Sequence, residues 1–156
     1  MAALGDPGSL LVIVGDGPGR DNLRSQVQAL DLAGRVLMAG NQTEVELWMQ
    51  AFDVFVLPSY ANEGVPQSLM QAMACGLPVI STPVGAISEI LDDGGTGLMV
   101  PPRDASALCS AIRRLRDDEI LRKSLSDAEL LRARECFAAD RMIDAMELVF
   151  QKVLAA

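Results

Sequence analysis

Ser59-Tyr60-Ala61-Asn62-Glu63-Gly64-Val65-Pro66-Gln67-Ser68-Leu69-Met70-Gln71-Ala72-Met73-Ala74-Cys75-Gly76-Leu77-Pro78 gives the chain its frame. Val54-Phe55-Val56-Leu57 precedes it, a short apolar run rich in β-branched and aromatic residues that reads as a buried strand. Pro66 opens a helix, because the missing proline N–H is an orphan at a helix start in any case. Leu69, Met70 and Met73 follow as an apolar stripe at helical spacing, with Gln67 and Gln71 on another face. Gly76 and Pro78 stop the helix and lead into a second strand, Val79-Ile80-Ser81.

The unit is strand, loop, helix, strand, with Glu63 on the loop and Gln71 on the helix. In open parallel sheets ligands bind beyond the carboxyl ends of the strands. Backbone N–H groups of Gly64, Val65, Gln67 and Ser68 point outward there, backed by the positive end of the helix dipole, and suit a phosphate. Glu63 beside them accepts from hydroxyls of a phosphate-linked group. The plainer alternative is a βαβ unit in which Glu63 is a solvated loop carboxylate.

Whole-chain properties narrow the choice of function. The chain has 156 residues, enough for one ordinary domain with a core, and half of them are hydrophobic, which excludes disorder. A net charge of −8 and no basic cluster interleaved with aromatics argue against a nucleic-acid partner. Arg113, Arg114 and Arg116 sit among Asp117, Asp118 and Glu119 and read as a solvated helix end. Cys75, Cys109 and Cys136 are odd in number and widely spaced, which fits a reduced compartment and no metal framework. Histidine is absent, so any imidazole base must come from another chain or not exist. The N-terminal apolar run, Leu10-Leu11-Val12-Ile13-Val14, is too short for a membrane span or a secretory core, which predicts a cytoplasmic protein.

In chain order, residues 1–9 read as a linker or cut end. Residues 10–14 read as a parallel strand buried on both faces. Gly15-Asp16-Gly17-Pro18-Gly19 and a helix from about Arg20 complete the strand, glycine turn and helix of a mononucleotide-binding half. Three alternating glycines are equally well explained by a tight turn without a ligand. Val36-Leu37-Met38-Ala39 is the next strand, ended by Gly40-Asn41, and Thr43 with Glu46 predicts a capping box. After the central unit come a short helix carrying Glu89, a turn over residues 92–97 and a last strand over 98–100. Asp104 caps a helix bearing Leu108, Ile112 and Leu115. Ser126 and Glu129 predict a second capping box, opening a helix to about Phe137. A final helix from about Asp140 carries Ile143, Met146, Val149, Phe150 and Val153. Five strands alternating with helices, then a helical tail, predict an α/β fold: a doubly wound parallel sheet over residues 10–156.

The residues Pro58-Ser59, Glu63-Gly64-Val65-Pro66 and Ala72-Met73-Ala74-Cys75-Gly76-Leu77-Pro78-Val79-Ile80 resemble the signature of the retaining GT-B glycosyltransferases of the large group 1 family. The likeness extends to Val12-Ile13-Val14-Gly15-Asp16-Gly17-Pro18, to the strand that starts at Arg35-Val36, and to residues 51–57 and 94–101. It covers nearly the whole chain in order.

The resemblance implies one half of a GT-B fold: the C-terminal, Rossmann-like domain that binds a nucleoside diphosphate sugar. Many members assemble polysaccharide or lipopolysaccharide. The family's two glutamates, eight positions apart, fall on Glu63, which by analogy meets the donor sugar, and on position 71, which meets the ribose. Position 71 is Gln here, keeping an acceptor oxygen and losing the charge. By the same analogy the backbone at Met38, Gly40 and Asn41 meets the base. Gly64, Val65, Pro66, Gln67, Ser68 and Leu69 meet the ribose and diphosphate, with Gly15 and Gly17 near the donor. No metal or other cofactor is implied.

The family's Arg and Lys upstream of the first strand, and its N-terminal acceptor domain, are not in this sequence. The chain alone is therefore expected to bind donor weakly and transfer little. The acceptor, a saccharide or lipid-linked saccharide, would be met through that other domain, and the whole enzyme could sit at the inner face of the membrane. A nucleotide-sugar epimerase half and a non-catalytic nucleotide-sugar-binding module are the alternatives. The tail stripe, if uncovered, favours self-association.

Overall fold

A computed structural model describes residues 1–61 and 63–154. Asn62, Ala155 and Ala156 lie outside the described residues, and with them the end of the expected domain and helical tail. The chain divides into two compact units, Met1–Trp48 and Met49–Ala156.

In the first unit, β1 (Leu11–Val14) and β2 (Val36–Gly40) pair in parallel, Leu11 opposite Val36 and Ile13 opposite Met38. The register slips after Ile13, which places Val14 opposite Gly40. α1 (Arg20–Ala29) is the crossover between them. β1 is not buried on both faces as the continuous apolar run suggested: Leu10 is 61% exposed, Leu11 36%, and the rest half-buried. Alternation cannot signal exposure in a strand that is apolar throughout. Residues 1–9, read as a linker, contain a 3-10 turn at Ala2–Leu4 with Leu4 buried. The Arg35 guanidinium ties them down by donating to the carbonyls of Asp6 and Ser9.

α2 (Val45–Gln50) carries the chain out of the first unit. It begins two residues after Thr43, so the expected capping box does not form there. Met49 is its buried residue, while Trp48 is half-buried.

The second unit holds β3 (Phe55–Leu57), β4 (Val79–Ser81) and β5 (Leu98–Met99), all parallel in the order β3-β4-β5. Central β4 is wholly buried, and Ile80 packs with Leu98, Val100, Ala111, Leu115 and Leu125 in the core. Each such large aliphatic side chain contributes roughly 1.5–3 kcal/mol by leaving water. α3 (Gln67–Ala74) joins β3 to β4, and the short α4 (Ile87–Ile90) joins β4 to β5. Pro66 stands at the N-cap of α3, one position before the expected first turn. Leu69, Ala72 and Met73 are the buried face; Met70 is half-buried. Gly76, at φ 69°, ends the helix: its N–H donates to Met73 O at 2.9 Å and that of Leu77 to Ala72 O at 3.0 Å. This paired C-cap needs a left-handed residue, which glycine supplies without a Cβ penalty.

Asp104 caps α5 (Ala105–Asp117) as expected, accepting from Ala107 N–H at 2.8 Å. The second expected capping box is absent. α6 (Glu119–Cys136) is one 18-residue helix capped by Asp118, with Ser126 and Glu129 in its interior. Both instead bind another part of the unit. Ser126 Oγ donates to Gly76 O, and Glu129 accepts the Val79 N–H at 2.9 Å. α6 thereby clamps the α3–β4 connection. α7 (Ala139–Leu154) is exposed along its whole length, with Ile143 at 56%, Val149 and Phe150 at 59% and Val153 at 68%. No helix of the described residues is long and apolar enough to cross a membrane.

Candidate functional site

At the carboxyl ends of β3, β4 and β5 three loops converge within the second unit. β4 organises them with its last polar residues. Ser81 Oγ donates to Leu57 O at 2.8 Å and Thr82 Oγ1 to Ser59 O at 2.6 Å, so the loop after β3 is sewn to the strand beside it. Ser81 and Thr82 are buried, where unpartnered hydroxyls would be costly. The loop then reaches Glu63, which is half-buried. Its carbonyl accepts the Ala86 N–H at 3.3 Å, and one carboxylate oxygen accepts from Ser59 Oγ at 2.5 Å.

Gly85 makes this approach feasible. At φ 57° it turns under Glu63, and a Cβ there would fall 1.9 Å from the Glu63 carbonyl oxygen. Glu63 therefore has a fixed backbone and a fixed side chain, with the second carboxylate oxygen outside that hydrogen bond.

Gly64, Val65 and Gln67 are exposed, and Pro66 and Ser68 half-buried, around the start of α3. Leu69 is fully buried, and its N–H already donates to Pro66 O at 3.1 Å. Of the residues expected to contact a ligand, Leu69 thus serves as the anchor of α3. The N–H groups of Gln67 and Ser68 precede the first helical hydrogen bond, where a helix presents its positive end.

Gln71 is exposed beside Gln67. Both line a groove of about 380 Å³ between α3 and the end of α6, floored by Met70, Ala133 and Phe137 and edged by Arg134. Arg134 lies 63 positions from Gln71, so nothing local in the sequence pairs them.

The first unit has its own cluster. Gly15, at φ 120°, donates to Gly40 O at 2.7 Å and joins the ends of β1 and β2. The N–H of Gly17 donates to the Asp16 carboxylate at 2.8 Å, and Arg20 pairs with the same side chain. The Gly17 hydrogen bond, then the Arg20 guanidinium, hold the Asp16 carboxyl below the usual range. One amide of the glycine turn is thus already committed. Met38 and Gly40 are half-buried and Asn41 exposed at the end of β2. Gln42 donates through its side-chain amide to Ala39 O at 2.8 Å, closing that turn.

A further pair joins the loop after β3 to the loop after β5. The Arg103 guanidinium lies over the Tyr60 ring, 4.6 Å from its centroid. Arg103 occupies the third place of a turn closed by Asp104 N–H to Pro101 O at 3.3 Å, at φ 61°. With proline second and a positive φ third, this is a type II turn, whose third place favours glycine. A left-handed backbone costs a residue with a Cβ about 1–2 kcal/mol. An exposed cation–π contact returns only about 0.5–1 kcal/mol.

Residues 4–118 match the family model described as glycosyl transferases group 1. The chain belongs to this family. It is 33% identical over 134 residues to the lipopolysaccharide core biosynthesis mannosyltransferase LpsB of Rhizobium meliloti, covering 85% of this chain and 38% of that protein. It is 36% identical over 151 residues to an exopolysaccharide phosphotransferase of Streptomyces coelicolor, covering 96% of this chain and 16% of the other. The crystal structure of Anabaena HepE in complex with UDP matches with a TM-score of 0.86 at 24% identity, over 95% of this chain and 43% of that one. The chain thus spans between 16% and 43% of the length of these proteins.

As a group 1 glycosyl transferase domain, the chain has the Rossmann-like α/β architecture of half a GT-B fold, with its helical C-terminal tail. The residues that sequence reading missed are Ser59, Thr82, Gly85 and Tyr60 with Arg103. Ser59 acts within its own loop and as the acceptor of Thr82, and the others act through contacts between separate loops.

Proposed function

We propose that this chain is the donor-binding half of a retaining glycosyltransferase. It takes a nucleoside diphosphate sugar, and the whole enzyme passes the sugar to a saccharide or lipid-linked acceptor during surface polysaccharide or lipopolysaccharide assembly. The observation that carries the reading is Glu63, fixed by Ser59, Gly85 and Ala86 directly before the start of α3. A carboxylate held there accepts hydrogen bonds from donor-sugar hydroxyls. The amides of Gln67 and Ser68 face the diphosphate, favoured by the helix dipole. Gln71 accepts from the ribose through its carbonyl oxygen. In the first unit, the backbone at Met38, Gly40 and Asn41 is read as the base contact.

Diphosphate departure builds negative charge, and fixed cations or dipoles aimed at it lower the barrier. A helix terminus contributes only about 0.3–2 kcal/mol of such stabilisation. On its own the chain therefore binds donor and transfers little; the reading assigns it no metal. Calorimetric titration with UDP, GDP, ADP and their glucose and mannose derivatives tests this. Saturable binding confined to one base family supports the reading. Equal failure of every nucleotide, with the fold intact by circular dichroism, counts against it.

The likeness to an exopolysaccharide phosphotransferase favours one second reading, transfer of a sugar phosphate. Mass analysis of the product of the whole enzyme separates the two by one phosphate.

A further inference from the structure

α4 (Ile87–Ile90) is a single helical turn, too short to persist by itself in water. Its apolar side is anchored by Ile87, Ile90 and Leu91, all buried. Its last carbonyls, which no helical N–H reaches, are met from a distant element. The Arg132 guanidinium, on α6, donates through Nε to Ile90 O at 2.6 Å and through Nη2 to Glu89 O at 2.9 Å. A cation at a helix C-terminus also meets the negative end of the dipole. The planar fork takes both carbonyls at once, and a lysine ammonium lacks that fixed geometry.

The other end of α4 meets the candidate site. Ala86, its N-cap, donates its N–H to Glu63 O at 3.3 Å. Gly85 before it lies so close that a Cβ would fall 1.9 Å from the same oxygen. Within the turn, the Glu89 N–H returns to Ala86 O at 3.0 Å. Hydrogen bonds thus lead from Arg132 to Glu89, from Glu89 to Ala86 and from Ala86 to Glu63. Ser59 holds the Glu63 carboxylate, and this run holds its backbone.

Arg132 also extends a series on α6. Ser126 serves Gly76 O, Glu129 serves the Val79 N–H, and Arg132 follows at the same interval of three. Residues at that interval form a ridge along a helix. The first two fix the chain entering β4, and Arg132 fixes the connection leaving it.

We propose that Arg132 is a positioning residue for Glu63, acting through α4 and the Ala86 N–H, so that α6 sets how well the donor sugar is held. This rests on the assignment of Glu63 to that sugar. Arg132 itself touches no ligand, because its fork is committed to the two carbonyls.

The experiment compares the wild type with Arg132→Met, which keeps an apolar stem and removes the fork, and with Arg132→Lys. Amide hydrogen exchange reads the hold on Glu63 with no ligand present. In Arg132→Met the Ala86 amide exchanges about two- to tenfold faster, while the Val79 amide, held by Glu129, keeps its rate. Calorimetry with UDP, GDP, ADP and their glucose derivatives reads the consequence. The affinity ratio of nucleotide sugar to nucleotide falls about two- to tenfold in Arg132→Met while nucleotide affinity holds. Arg132→Lys recovers part of both changes. Ser126→Ala, which loosens α6 away from α4, leaves the ratio unchanged.

Unchanged Ala86 exchange overturns the proposal. Equal acceleration of Ala86 and Val79 overturns it too, since that is a general loss of stability. So does an unchanged ratio in Arg132→Met when Glu63→Ala lowers the same ratio. An unchanged ratio in Glu63→Ala, or binding of no nucleotide at all, sinks the donor reading instead. Ala86 exchange then decides the positioning by itself.

Discussion

The carbonyl oxygen of Glu63 occupies the space a Cβ on Gly85 would need, at 1.9 Å, and the next residue's amide, that of Ala86, binds the same oxygen at 3.3 Å. The β4–α4 loop thus holds the Glu63 loop by absence of a side chain as much as by a hydrogen bond. Gly85→Ala must move one loop or the other, and it also loses the left-handed conformation glycine allows. We expect a stability loss of about 1–3 kcal/mol from the overpacking. Thermal melting checks that figure. A larger proportional loss of affinity for UDP-sugar than for UDP should accompany it in calorimetry. Equal losses would mean that Glu63 had not moved.

Glu129 is a second carboxyl whose role lies in its surroundings. Burial pushes it up to about 9, against the opposing pull of the Val79 N–H, and among the described residues its Oε2 has no hydrogen-bond partner. Unfolded, the same group titrates near 4.5. Between those values the folded state holds a proton that the unfolded state has released. Stability is therefore greatest below about 4.5 as far as this group is concerned, falls as pH rises through the window, and levels off above about 9. The slope from one proton is at most about 1.4 kcal/mol per pH unit. Urea unfolding across that range checks the sign. Glu129→Gln, which keeps an acceptor for Val79, should flatten the curve while remaining folded.

Ser126 offers a smaller and cleaner test. Its hydroxyl donates to the Gly76 carbonyl at the end of α3. Ser126→Ala should cost about 1 kcal/mol in chemical denaturation. It should leave nucleotide affinity unchanged, since the α3 start is eight or more residues away along the chain. A loss of affinity without a loss of stability would show that the α3 C-terminus tunes the site.

The α7 stripe yields a prediction about association. Ile143, Met146, Val149, Phe150 and Val153 are all about half or more exposed. Contiguous apolar surface of this kind favours contact with another surface. Sedimentation should show concentration-dependent self-association of the isolated chain, abolished by Val149→Glu with Phe150→Glu at unchanged helix content. A monomer at high concentration would contradict it.

Much of the fold is legible locally. The β3-loop-α3-β4 unit is announced by an apolar β-branched run, Pro66 and the Gly76 stop, and it stands within a residue of its expected bounds. What sequence could not give are bonds between distant loops. Ser126 and Glu129 have the spacing of a capping box, and the same spacing places both on one face of an unbroken helix. There they serve Gly76 and Val79, about fifty positions away. Likewise nothing local in the sequence pairs Arg103 with Tyr60, whose ring its guanidinium covers. Glu63 is visible as a loop carboxylate before a helix; that Ser59 on its own loop and Gly85 with Ala86 on the β4–α4 loop hold it is not, because the second segment lies more than twenty positions away.

The most direct test of the account is the sugar increment in donor binding: the affinity ratio of nucleoside diphosphate sugar to nucleoside diphosphate, in the wild type and in Glu63→Ala. A charged acceptor of hydroxyls contributes about 1.5–3 kcal/mol, so the ratio should fall by about tenfold or more while nucleoside diphosphate affinity holds. An unchanged ratio in a folded Glu63→Ala protein would contradict the assignment of Glu63 to the donor sugar.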